Sequence, residues 1–241
     1  MLGAVSWQEY GEVLDSVAEE AIRAGKLKEP PVDPFRIAHA LGVRVVWDSR
    51  LPERGRYVRL HQRGSTRQAA AMILQRHPRP ERRYWSAAHE LGEHLVYQAA
   101  ERLGLELEEP WAACRERIAN HLAARILLPT AWFAEDGQRL DWDLRCLKAR
   151  YSTASHEAIA WRMLDMPTPV VISLFDQGML IWRRANRWGR IPPLSPVESR
   201  CWQSAHHQSQ DQQQWSEGLR IRAWAVHEPG WRREILRTET W

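Results

Sequence analysis

Ala88-His89-Glu90-Leu91-Gly92-Glu93-His94 brings imidazole and carboxylate groups together at close spacing. On a helix each residue turns about 100°, so positions i and i+4 differ by about 40° and share a face. His89 and Glu93 therefore project together, with Glu90 beside them, offset by one residue. The usual zinc-protease pattern is His-Glu-x-x-His, two imidazole ligands with Glu as general base. Here the fifth place is Glu93. His94 lies about 140° away from His89 after one full turn and faces elsewhere. Glu93 is thus the expected second ligand, since a carboxylate oxygen binds zinc at about 2.0–2.2 Å. A π-bulge would bring His94 round, but nothing in the sequence demands one. The chemistry on offer is metal-assisted hydrolysis, with Glu90 as the base.

A third ligand has to come from another element. Glu116 is the candidate, because Glu116, Asn120 and Ala123 share one face of a second helix by i, i+4, i+7 spacing. An antiparallel helix after a loop of about eight residues can lay that face against His89 and Glu93. Asn120 is read as a bond between the two helices, not as a ligand. A donor for the developing oxyanion is also needed, and Tyr97, His94 and His121 are candidates by nearness in sequence.

The elements that must position these residues are legible in outline. Val5 to Ile22 has helical apolar spacing that stops near Gly25. Asp33 can cap a short helix that begins at Pro34 and is stopped by Gly42. Val43–Trp47, Gly55–Leu60 and Ala69–Leu74 read as strands, with a turn at Arg63-Gly64-Ser65-Thr66. The third is almost continuously apolar and so belongs in the middle. Helices are expected over 81–103 and 110–128, then near Trp132, and as a pair at 143–151 and 155–164. Beyond Pro169, Val170–Phe175 and Met179–Arg183 flank Asp176-Gln177-Gly178, a hairpin signal. Residues 203–217 are Gln-, Ser- and His-rich and read as a loop or a solvent-facing helix. Leu219–Val226 and Ile235-Leu236-Arg237 read as further strands.

At this point the chain resembles the ImmA/IrrE metallopeptidase family. The likeness is carried by Ala88-His89-Glu90-Leu91-Gly92 and by Glu116-x-x-Ala119-Asn120-x-x-Ala123-Ala124-x-x-Leu127-Leu128-Pro129. Upstream Asp33-Pro34-Phe35 to Gly42-Val43, and downstream Leu147-Lys148 to Met163-Leu164, are similar as well. The resemblance spans roughly residues 31–166. It implies an α+β fold, with a mainly helical metallopeptidase-like core and a small three-stranded sheet. It implies His89 and Glu116 as metal ligands and Glu90 as base. It implies a zinc-dependent peptidase that cleaves helix-turn-helix repressors and so switches on stress or mobile-element genes. Glu93 stands where the family has its second His. One imidazole with two carboxylates is a harder, more anionic site, which brings Mn²⁺ in beside Zn²⁺.

Three segments follow: an N-terminal helix and linker over 1–30, the metallopeptidase-like domain over 31–166, and a β-rich Trp/Arg appendage over 167–241. The 241 residues carry 34 basic and 30 acidic side chains, a formal charge of +4. Acidic residues are interspersed with the basic ones, so direct nucleic-acid binding is the less favoured reading. The helical pair at 143–164 has the outline of a DNA-reading helix-turn-helix, with Arg150 and Arg162 for phosphates, but packing under the ligand helices is favoured. The 14 Trp are read as core filling that compensates for 3 Phe and 5 Tyr. Arg/Trp neighbours in the tail are read as cation–π pairs. No 18-residue apolar run predicts a membrane span, and the first residues lack a secretory pattern. Cys114, Cys146 and Cys201 form no disulfide framework, which fits a reducing cytoplasm. Two functions result: a repressor-cleaving metallopeptidase, or a binding protein on a degenerate peptidase scaffold that holds its partner through the tail.

Overall fold

Ser6 and Asp33 set the first two helices. In the computed structural model, which describes residues 6–61, 68–105, 111–187, 189–216 and 218–240, the Ser6 hydroxyl accepts from Glu9 N at the start of α1 (Trp7–Ala24). Asp33 accepts from Phe35 N at the start of α2 (Pro34–Ala40), and Gly42 leaves it at φ 71°. Strands β1 (Val43–Trp47), β2 (Gly55–His61) and β3 (Gln68–Leu74) follow. β3 is central, parallel to β1 and antiparallel to β2, as its apolar run predicts. The turn expected at residues 63–66 lies outside the described residues, as do Val5, Pro110 and Trp188.

Two helices form the centre of the first compact unit, residues 1–155: α3 (Pro80–Arg102) and α4 (Trp111–Leu127). Their facing sides bury Ala88, Leu91 and Val96 against Ile118, Ala119, Leu122 and Ala123, all without solvent exposure. They meet backbone to backbone at Gly92, where a Cβ would stand 2.4 Å from the Ala119 carbonyl oxygen. α1 is not a separate piece. Its Leu14 and Val17 are fully buried, Asp15 pairs with Arg125 at 2.9 Å, and Arg102 grips the Glu20 carboxylate.

α5 (Thr130–Arg139) and α6 (Leu144–Arg150) complete the unit around Asp136. The Asp136 carboxylate accepts from Arg139, Arg150 and Tyr151. Burial alone would raise its pKa, but those three donors outweigh it and hold the group below the usual range. Arg150, though partly exposed, is therefore paired with Asp136 and not left free for a phosphate. Arg162 is 1% exposed and pairs with Asp165, so the second arginine of the phosphate-contact reading is buried.

The second compact unit, residues 156–241, begins with α7 (His156–Met163). Glu157 on α7 accepts from Trp182 Nε1 at 3.3 Å and from Arg233 Nη1 at 2.7 Å, both in the following sheet. Trp161 packs on Trp182 at a tilt of 34°, with centroids 4.7 Å apart. Five antiparallel strands follow in the order β5-β4-β8-β7-β6: β4 (Val170–Asp176), β5 (Met179–Ala185), β6 (Gln212–Ser216), β7 (Leu219–Glu228) and β8 (Trp231–Thr240). Gln177 and Gly178, both at positive φ, make the expected hairpin turn.

The segment 203–217 corrects the sequence reading. Helix α8 starts earlier, at Pro196, and runs to Gln208; residues 212–216 are the edge strand β6. A Ser195/Glu198 capping box fixes its start. Glu198, Cys201 and Ala205 face inward at helical spacing and are buried, Cys201 and Ala205 over Phe175, Ile221, Ala223 and Leu236. Nor do the Trp residues fill the core as expected. Trp142 and Trp224 are buried, but Trp7, Trp47, Trp161, Trp215 and Trp231 are exposed. Among the described residues of the second unit, Arg220 lies over Trp215 and Arg222 over Trp224, neither of them a pair of sequence neighbours. Among the described residues, no helix is long and apolar enough to cross a membrane.

Candidate metal centre

His89, Glu93 and Glu116 each offer a ligand atom, and those atoms all lie within 4.8 Å of one another. His94 is not in the group. Its Nδ1 is hydrogen-bonded to the Tyr57 hydroxyl on β2 at 2.8 Å, and burial lowers its pKa. The regular phase of α3 therefore separates the two candidates as helical geometry predicts.

Asn120 orients the centre. Glu116 can only accept, so the Asn120 amide nitrogen must face it, at 2.9 Å from Oε1. The Asn120 oxygen is then left for His89 Nδ1 at 3.1 Å, which must donate. That places the bare lone pair of His89 on Nε2, 3.7 Å from Glu116 Oε2. A partner on one ring nitrogen that aims the other at a metal is the usual support for a ligating His. These atoms fit a divalent metal of the zinc or manganese type.

Glu90 is 4% exposed and lies against β2. A Cβ on Gly55 would sit 2.3 Å from its Oε1, so only glycine leaves room for the carboxylate. Burial, then Glu93 and Glu116, push its pKa up to about 8, against the Tyr57 backbone N–H, which donates to the carboxylate and lowers it. A dication bound among the three ligand groups would pull it back down. Of the oxyanion-donor candidates, Tyr97 packs on Trp111 under the Arg59 guanidinium, and His121 packs on Tyr10. The group that the sequence reading missed on β2 is Tyr57, whose hydroxyl is 3.2 Å from Arg59 Nε.

It also missed Arg115. The guanidinium pairs with Glu93 through two nitrogens, both on Oε2, which leaves Oε1 for a metal. Arg115 stands directly before Glu116, so the spacing held a hint, but only a tertiary arrangement shows which acid it reaches.

Residues 38–163 match the family described as Peptidase_M78, IrrE N-terminal-like domain. The chain belongs to this family. Its M78 domain thus comprises the three-stranded sheet, α3 and α4, and the paired helices that follow. No curated protein matches the chain by sequence. Among solved structures, a Mycobacterium tuberculosis transcriptional regulator superposes with a TM-score of 0.66 at 17% identity, over 96% of this chain and 80% of that one. That likeness extends beyond the M78 domain into the second unit, as a likeness of fold. Membership of a metallopeptidase family points to a metal cofactor, and the His89 cluster offers donors for it.

Arg115 yields a direct test. A guanidinium on a ligand carboxylate repels a dication, and a tenfold change in affinity needs only about 1.4 kcal/mol. Arg115→Gln should tighten Mn²⁺ or Zn²⁺ binding about tenfold or more by calorimetry. Weaker binding would make Arg115 a support for Glu93 and not a competitor.

Proposed function

We propose that this chain is a metal-dependent peptidase of the cytoplasm that cleaves a helix-turn-helix transcriptional repressor, releasing stress or mobile-element genes. The observation that carries the reading is the Asn120 bridge, which aims His89 Nε2 and Glu116 at one point next to buried Glu90. His89, Glu116 and Oε1 of Glu93 would hold Zn²⁺, with Mn²⁺ as the alternative. When bound, the metal supplies Lewis acidity, polarising the scissile carbonyl and acidifying water. Glu90 then takes a proton from the attacking water at its carboxylate and returns it to the departing amide nitrogen. The Tyr57 N–H and the space left by Gly55 hold that carboxylate in place. Glu116, 61% exposed at its side chain, sits where a protein substrate would approach. The regulatory part of the reading draws on the family and on the fold it shares with a transcriptional regulator of Mycobacterium tuberculosis.

One observation favours a second reading. Arg115 already supplies a positive charge to Glu93. A scaffold that has given up its metal, and only binds a partner, would have reason to keep that ion pair. Metal analysis and co-expression decide between the two. Protein purified without chelator should carry about one equivalent of metal at the M78 site, lost in His89→Ala. Co-expression with repressors encoded beside the gene should yield fragments on a gel with wild type and none with His89→Ala. Metal-free wild type that captures a repressor intact would establish the scaffold reading.

A further inference from the structure

The second unit contains a cluster that the peptidase reading does not use. Glu234 on β8 is fully buried, with 0% exposure. A buried carboxylate is ordinarily paired with a cation or bound to a metal. Among the described residues, neither Lys nor Arg pairs with Glu234. Its partners are Trp202 Nε1, 3.2 Å from Oε2, and two imidazoles on Oε1: His206 Nδ1 at 2.9 Å and His227 Nε2 at 2.5 Å.

The fold explains the convergence. β7 and β8 pair with His227 opposite Arg232, which makes Glu234 the diagonal neighbour of His227 on the same sheet face. α8 crosses that face. Its inward stripe runs Glu198, Cys201, Trp202, Ala205 and His206, so it delivers His206 one turn beyond Trp202. One ligand thus comes from the helix and two from the hairpin. The ligand atoms of all three lie within 4.8 Å of one another.

We infer that His206, His227 and Glu234 form a second divalent-metal site, for a transition metal of the zinc or iron(II) class. Two imidazoles and one carboxylate suit these borderline ions and leave further positions open. Each neutral imidazole can carry its proton on its other nitrogen, which frees the atom now facing Glu234. Trp202 holds the far carboxylate oxygen and fixes the direction of the near one. Access exists, because the His206 and His227 side chains are 20% and 16% exposed. The turns at Gly178 and Gly230 border the site. His206 lies 3.9 Å from where a Gly178 Cβ would be, and Gln177 is hydrogen-bonded to Arg232 through both its backbone and its side chain. A metal here ties α8 to the β7–β8 hairpin and makes the second unit responsive to metal supply.

Zinc titration of full-length protein, by competition with a chromophoric chelator, tests this apart from the M78 site. His89→Ala protein should keep one zinc equivalent. Adding His227→Ala should weaken it by about a hundredfold or more, since even losing a group that only supports a ligand costs about 10–100-fold. Trp202→Phe in the same background should weaken it about tenfold. Far-UV circular dichroism checks that each variant folds, and His206→Ala serves if His227→Ala does not. Cobalt(II) should give a d–d absorption band that His227→Ala removes. His89→Ala protein that binds no zinc, or unchanged binding after His227→Ala, would overturn the site.

Discussion

Under the proposed peptidase reading, Glu90→Gln is expected to abolish cleavage of a repressor while leaving metal content unchanged. The carboxylate stands beside the ligand group and not within it, walled by Gly55 and held by the Tyr57 N–H. Glutamine preserves the shape, and its carbonyl oxygen still accepts from Tyr57. It cannot take a proton. Removing a general base costs about 10²–10⁴-fold. In a time course of fragment formation with purified repressor, a loss of that size should appear with metal stoichiometry intact by mass spectrometry. Undiminished cleavage would reject Glu90 as the base. Loss of metal together with cleavage would make it a ligand instead.

Gly92→Ala should be among the most destabilising single substitutions in the first unit. Alanine is the better helix former by about 1 kcal/mol, so helical propensity alone predicts a gain. Packing opposes it. The new methyl group would lie 2.4 Å from the Ala119 oxygen and 2.9 Å from its Cα, both backbone atoms that a side-chain rotation cannot move. The helices must separate, at a net cost of about 2–3 kcal/mol. Chemical denaturation should show a lower midpoint with an unchanged slope. Because Ala119 precedes Asn120, the same separation should stretch the Asn120 bridge to His89 and weaken metal binding. Stability equal to wild type would mean that the helices tolerate wider spacing than their contact implies.

Much of this centre could be read before any coordinates. Helical phase alone distinguished Glu93 from His94, and i+4, i+7 spacing put Glu116 and Asn120 on one face. Those are local properties of a regular backbone. Arg115 was not legible, because its choice of Glu93 depends on the approach of two helices and on a rotamer. Strand β3 was recognised as central by its apolar run, whereas a helix at 203–217 was only one of two alternatives, and neither its start at Pro196 nor its buried side was seen. Its inward stripe is short, and the surrounding Gln, Ser and His mask it. The Trp residues misled in the other direction, since their type predicts burial while this fold leaves several of them at the surface.

The placement of α1 bears on how the protein is made. Its buried face rests on α4, about a hundred residues later in the chain. At roughly 5–20 residues per second, synthesis takes about 5–20 s to supply that partner. During that interval α1 has only α2 and then α3 to pack against, so the part of its apolar face that α4 covers stays open until α4 is made. The α3–α4 pair can close only after translation has passed Leu127.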